Sequence, residues 1–251
     1  MNAGRPNDRP DHLVLPDHRG VPDHLVNLRD VASADPALRV GVFWRSDAPH
    51  SDDRAPVGWP DWPPRTVIDL RDQPEKSQPH PWAELAEVVD LPLLQGGTSH
   101  PGQLRTGLAE LYLAMLSDSA ASLAVRAVEL VAQAPGPVLV HCTAGKDRTG
   151  VVVALTLSLL GLPQSAIVAD YTRTGPVMPQ VVARTILTTS QAADLTTLAK
   201  LPPDLMEAPA QAIEAVLARL DDQPGGPAGW FKRHGGQARV LSRLRRRLLR
   251  A

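Results

Sequence analysis

The sequence contains a single cysteine, Cys142, so no disulfide can form within the chain, and the compartment is not fixed by cysteine usage. A lone thiol is buried, reactive or both. No long apolar run is present: the longest, Val151 to Leu162, is about twelve residues and is interrupted by Thr156 and Ser158, whereas a membrane span needs about twenty. The N-terminus, Met1-Asn2-Ala3-Gly4-Arg5-Pro6, lacks the apolar core of a secretory signal, which makes cytoplasmic residence the default expectation and predicts no stable membrane insertion. No charge of one sign dominates. The formal net charge of -1 argues against a nucleic-acid binder neutralising phosphates over its whole surface, while leaving room for a local basic patch. What remains is ordinary: 43% hydrophobic and 21% charged residues over 251 positions, the composition of one folded α/β domain.

Residues 1–10 are polar, carry Pro6 and Pro10, and read as a flexible tail before a single domain over 11–251. Pro-Asp-His recurs at Pro10, Pro16 and Pro22, which raises a metal reading for His12, His18 and His24. A proline every six residues favours extended surface backbone over converging imidazoles, so no metal site is expected. Val40 to Trp44 predicts a short strand leading into Arg45-Ser46-Asp47, and Pro56 to Pro64 an irregular connection. Thr66-Val67-Ile68-Asp69-Leu70 is the pattern of a buried central strand, with Asp69, Arg71 and Asp72 at its carboxyl end. Val88 to Pro92 is a weaker strand candidate. Two amphipathic helices follow, one with Leu104, Leu108, Leu111, Tyr112, Met115 and Leu116, the other with Leu123, Ala127, Leu130 and Val131 after Ser117. The segment 176–222 is helical in composition and is expected to form a lid insertion. The last helix places Val240, Leu241, Leu244, Leu248 and Leu249 on one face and six arginines elsewhere; it either docks on the core or meets acidic partners.

Pro137-Val138-Leu139-Val140-His141 predicts a strand, and an apolar helix is expected from near Thr149 to Gly161. Between them runs His141-Cys142-Thr143-Ala144-Gly145-Lys146-Asp147-Arg148-Thr149-Gly150, a Cys-x5-Arg loop at a helix N-terminus. Such a loop offers a phosphate dianion several backbone N–H groups and the positive end of the helix dipole, drawn from Thr143, Ala144, Gly145, Lys146, Asp147 and Arg148. Gly145 lets the backbone curl. Arg148 presents a planar fork for two phosphate oxygens, and the same donors favour a Cys142 thiolate, the nucleophile. His141 orients the loop. Thr149 either hydrogen-bonds the thiolate or caps the helix.

The full run, with Asn27-Leu28-Arg29-Asp30, Trp44-Arg45-Ser46-Asp47-Ala48 and Val67-Ile68-Asp69-Leu70-Arg71 before it, resembles the protein tyrosine phosphatase superfamily and its bacterial tyrosine and dual-specificity branch, which includes phosphoinositide phosphatases. The resemblance implies a mostly parallel sheet of four or five strands flanked by helices, with an added helical C-terminal or lid segment. It also implies attack by Cys142, leaving-group protonation by an aspartic acid, hydrolysis of a phosphocysteine, and no metal or cofactor. Many members carry the acid on a separate loop, but Gln95-Gly96-Gly97-Thr98-Ser99-His100-Pro101 has no Asp or Glu. Asp147 is therefore the expected acid, with Asp69 and Asp72 as alternatives. Lys146 either adds positive charge for a highly phosphorylated substrate or is a solvated loop lysine. Expected partners are phosphorylated proteins or phosphoinositides, not nucleic acid. The other reading is a catalytically weak module that binds phosphorylated partners.

Overall fold

The structure is a computed structural model that describes residues 22–59, 61–76, 79–94, 107–189 and 206–250. The expected tail 1–10, His12, His18 and the loop from Gln95 to Pro101 lie outside the described residues.

Five strands, β1 (Arg29–Asp30), β2 (Phe43–Ser46), β3 (Thr66–Asp69), β4 (Glu87–Asp90) and β5 (Val138–His141), form one sheet in the order β1-β2-β5-β3-β4. Only β1 runs antiparallel to its neighbour. The run Val138-Leu139-Val140-His141 is buried along its length, as a central parallel strand requires, and sits between β2 and β3. Its register pairs His141 with Ser46 on one side and Asp69 on the other. The carboxyl ends of three strands therefore open on one edge, the place where open α/β sheets build their sites.

Alternation along the strands divides the core. Phe43, Ile68, Val138 and Val140 pack with the helices, whereas Trp44, Val67 and Leu139 join Leu25 and Trp82 in a second cluster, against which Trp59 and Trp62 pack. The proline-rich connection from Pro56 thus supplies aromatic rings that cover one face of the sheet; Trp44 and Trp62 stack with centroids 6.0 Å apart.

The other face carries α1 (Leu108–Ala114), α2 (Asp118–Gln133), α3 (Asp147–Leu160), α4 (Gln164–Thr172), α6 (Ala210–Asp221), α7 (Gly226–Arg233) and α8 (Ala238–Leu248). Helix α5 (Met178–Thr189) follows α4. Helix α3 begins at Asp147, two residues before the expected start, and is buried almost all round, which explains its unbroken apolar run. Gly161 ends it at φ 82, its N–H returning to the Leu157 and Ser158 carbonyls.

The segment expected as a lid divides. Arg184 ties α5 to the loop after β2, residues 190–205 lie outside the described residues, and α6 packs between α1, α3 and α4 with Ile213, Val216 and Leu220 fully buried. Its apolar stripe is a core surface. Helix α8 docks on α2 and α3 through Val240, Leu244 and Leu248. Among the described residues no helix is long and apolar enough to cross a membrane.

Candidate active site

The loop from Cys142 to Arg148 joins β5 to α3, and its shape is set from outside. Three consecutive carbonyls are held by neighbouring donors: the Ala48 N–H donates to the Thr143 carbonyl at 3.0 Å, Asn27 Nδ2 to the Ala144 carbonyl at 2.8 Å, and Arg45 Nη2 to the Gly145 carbonyl at 2.7 Å. Across a planar trans peptide the carbonyl and the following N–H point in opposite directions. Pinning these three carbonyls therefore turns the N–H groups of Ala144, Gly145 and Lys146 the other way. Gly145 adopts φ 66, and a Cβ there would lie 2.2 Å from the Ser46 carbonyl oxygen, so only glycine fits.

The pinning groups are anchored by Asp170 on α4. Its carboxylate accepts from Arg29 Nε at 2.8 Å and from Arg45 Nη1 at 2.5 Å, all three side chains being buried. Arg29 Nη1 also donates to Asn27 Oδ1 at 2.5 Å, which turns the Asn27 amide so that its Nδ2 faces the loop. Burial would raise the Asp170 carboxyl, but Arg45 and Arg29 more than offset this and hold it below the ordinary range. Burial and the nearby Arg45 pull Arg29 down to about 10, opposed by Asp170.

Cys142 is buried at the head of the loop. Arg148, in the first turn of α3, meets a carboxylate that the sequence reading passed over. Glu75, at the end of the 3-10 turn after β3, accepts from both Arg148 terminal nitrogens, with Nη2 2.5 Å from Oε1, and Thr143 Oγ1 donates to the same Oε1 at 2.6 Å. Burial disfavours the Arg148 charge, yet the Glu75 hydrogen bonds more than compensate and raise it above its usual value. Glu75 in turn is lowered, burial notwithstanding, by Arg148 and Thr143. Its local signal was the Asp72-x-x-Glu75 spacing, since the Asp72 N–H donates to Glu75 Oε2 at 2.9 Å.

Asp69 and Arg71 do not turn towards the phosphate position. The Arg71 guanidinium is bidentate on the Asp69 carboxylate, and the pair braces His141, whose Nε2 lies 3.9 Å from Asp69 Oδ1. Burial works against the Asp69 charge, but His141 and Arg71 drive its carboxyl far below the usual range, which leaves it no proton to give as an acid. His80, also missed, completes the cluster. The Trp82 N–H donates to His80 Nδ1 at 3.1 Å, so His80 carries its proton on Nε2 and gives it to His141 Nε2 at 3.2 Å; His141 Nδ1–H then donates to the Cys142 carbonyl at 3.1 Å. Burial, aided by Arg71 and His80 and opposed by Asp69, pulls His141 down to about 4. Asp69, His80 and His141 bring potential metal-ligand atoms within 4.8 Å of one another. The tautomer set by Trp82 puts a proton on the His80 atom a metal would need, and Arg71 occupies both Asp69 oxygens, so the donor set does not suit a cation. His24 is exposed beside Asp23.

Asp147 opens α3 with its side chain partly exposed. Tyr112, from α1, donates to its Oδ1 at 2.6 Å, and Lys146 Nζ lies 3.6 Å from the same oxygen. Lys146 is buried rather than solvated, and its Nζ also donates to the Glu207 carbonyl at 3.1 Å. The residue before α3 is Lys146, so Thr149 is not the helix cap; its Oγ1 is buried with no hydrogen-bond partner among the described residues.

The sequence profile of the tyrosine phosphatase family matches residues 22–250. The chain belongs to that family and is a protein-tyrosine-phosphatase-type hydrolase. It is 27% identical over 266 residues to the triple specificity protein phosphatase PtpB of Mycobacterium tuberculosis, covering 89% of this chain and 96% of that one. A tyrosine-protein phosphatase of Nostoc commune is 32% identical over 164 residues, 64% of this chain and 54% of its own length. Among solved structures, P. aeruginosa TpbA is matched over 65% of this chain and 90% of its own, with a TM-score of 0.33 and 22% identity.

Proposed function

We propose that this chain hydrolyses phosphate monoesters, phosphotyrosine among them, through a phosphocysteine on Cys142 and without a metal. The observation that carries the reading is the set of three pinned carbonyls, which aims consecutive N–H groups at one anion position beside Cys142 and Arg148. Preorganised donors of this kind stabilise the equatorial oxygens of a phosphoryl group in transfer.

In the first step the Cys142 sulfur attacks phosphorus, the bond to the ester oxygen breaks, and Asp147 gives that oxygen its proton. In the second, water attacks phosphorus, Asp147 takes a proton from it, and the sulfur leaves as thiolate with release of inorganic phosphate. Arg148 holds two of the phosphoryl oxygens. Thr149 Oγ1, buried and without a hydrogen-bond partner among the described residues, is the natural donor to the departing sulfur. His141, Asp69 and Arg71 support the loop from behind. The range of substrates extends to phosphoserine, phosphothreonine and phosphoinositides. The buried Lys146 cation beside Asp147 supports that extension, and so does the likeness to a phosphatase named for triple specificity.

The test is hydrolysis of an aryl phosphate, a phosphotyrosine peptide and a panel of phosphoinositides by wild type and Cys142→Ser, with EDTA present. Activity that resists EDTA and disappears in Cys142→Ser is the expected result. A well-folded wild type without activity would instead assign the loop to binding phosphorylated partners.

A further inference from the structure

Charge in this chain is strongly segregated. Between Gln223 and Ala251 stand Lys232, Arg233, Arg239, Arg243, Arg245, Arg246, Arg247 and Arg250 and no Asp or Glu, although the whole chain carries a net charge of -1. Part of this charge has a structural use. Arg245 reaches the Leu159 carbonyl at 3.5 Å, Arg247 the Ala134 and Gly136 carbonyls, and Arg250 the Leu38 carbonyl at 3.0 Å. Arg239, Arg243 and Arg246 do not share it. Spaced i, i+4, i+7, they project from the exposed face of α8, opposite the buried Val240, Leu244 and Leu248. With Gln133 and Val240, which is itself buried, they line a cleft of about 360 Å³, and no acidic side chain pairs with them among the described residues.

We infer that the Arg239–Arg243–Arg246 face of α8 docks the protein on an anionic phospholipid surface. The composition of this face selects among polyanions. A protein partner is normally gripped by apolar or aromatic anchors at the centre of the contact, and single-stranded nucleic acid by exposed aromatic rings. Trp230 and Phe231, the aromatic residues of this region, are both buried. A row of exposed cations without apolar or aromatic anchors suits the surface charge of anionic headgroups. The attachment is peripheral.

The experiment is co-sedimentation of the full chain with vesicles of phosphatidylglycerol and phosphatidylcholine, against phosphatidylcholine alone, at 0.1 M salt. The proteins compared are wild type, the triple variant Arg239→Glu/Arg243→Glu/Arg246→Glu, and Arg219→Glu, which reverses an exposed charge on α6. Each arginine near an anionic bilayer is worth about fivefold in affinity, so the triple variant should lose at least about a hundredfold, while Arg219→Glu stays within about twofold. Wild-type binding should also disappear in high salt. Equal aryl phosphate hydrolysis by all three proteins shows that the fold is intact, and Arg→Gln at the same three positions serves if the reversals unfold it. Wild type that ignores phosphatidylglycerol, or a triple variant that still binds, overturns the inference. Binding of duplex DNA through these arginines without vesicle binding would also overturn it and assign the face to nucleic acid.

Discussion

The Tyr112 hydroxyl donates to Asp147 Oδ1 across 2.6 Å, and the Tyr171 hydroxyl stands 2.7 Å behind it. Tyr112 has one proton and spends it on the carboxylate, so Tyr171 must donate to Tyr112. Burial first, then the charge of Asp147 and the neighbouring Tyr171, keep Tyr112 protonated well beyond its ordinary range. With Oδ1 committed to Tyr112, Oδ2 is the oxygen left for the proton that the proposed mechanism has Asp147 deliver. Both tyrosines of the sequence meet at this one aspartate.

Tyr112→Phe should therefore lower turnover on a phosphoserine peptide by about tenfold, with a smaller loss on an activated aryl phosphate whose leaving group needs no proton. Asp147→Asn should show the same ordering more strongly. Equal losses on both substrates would mean that Asp147 is not the acid.

These long-range partners explain where the sequence was readable. The strand, loop and helix around Cys142 lie within one contiguous stretch, because a phosphate loop needs its glycine, arginine and helix start in fixed local order. The flanking Asn27 and Arg45 act on that loop across 117 and 100 residues of separation, and Asp170 holds Arg45 across 125. Asn27 and Arg45 stood inside motifs noted for resemblance, but Asp170 had no local pattern. Glu75, Tyr112 and His80 reach the site across 73, 35 and 61 residues, and nothing beside them in sequence marks that destination. Helix α6 failed differently: Ile213, Val216 and Leu220 announce a buried stripe without saying which surface buries it.

Asp170→Ala would leave Arg29 and Arg45 buried without their shared carboxylate. Removing one partner of a buried ion pair costs about 3–5 kcal/mol, and urea denaturation should show a loss of that order. Activity per folded molecule should fall as well, because Asn27 and Arg45 no longer hold the loop carbonyls. A loss under about 1 kcal/mol would show that the two arginines find other partners.

Glu75→Ala removes the carboxylate that now engages Arg148 and Thr143. Part of the pair is accessible to solvent, so a destabilisation of about 2 kcal/mol is expected. Phosphate or vanadate then no longer competes with Glu75 for Arg148, Asp72 remaining 3.5 Å from Nη1, and by mass action it should raise the Tm of Glu75→Ala more than that of wild type. Identical thermal shifts in the two proteins would place the bound anion away from the Glu75–Arg148 pair.

His141 supplies the pH dependence. Its folded value of about 4 lies below the 6.5 of an unperturbed imidazole, so the folded state holds fewer protons than the unfolded state between those two values. The stability this group contributes is complete above about pH 6.5 and is lost as pH falls through about 4, a change on the order of 3 kcal/mol. Asp47 runs the other way. Burial, opposed by Arg184, raises it from 3.8 to about 6, so its contribution is present below about pH 4 and is lost as pH rises through 6. His141→Asn isolates the first effect, because the amide nitrogen can still donate to the Cys142 carbonyl but does not titrate. Urea denaturation at pH 7.5, 6, 5 and 4 should show wild type more stable than His141→Asn at the top of the range, with the gap closing towards pH 4. A gap independent of pH would mean that His141 does not change charge in this window.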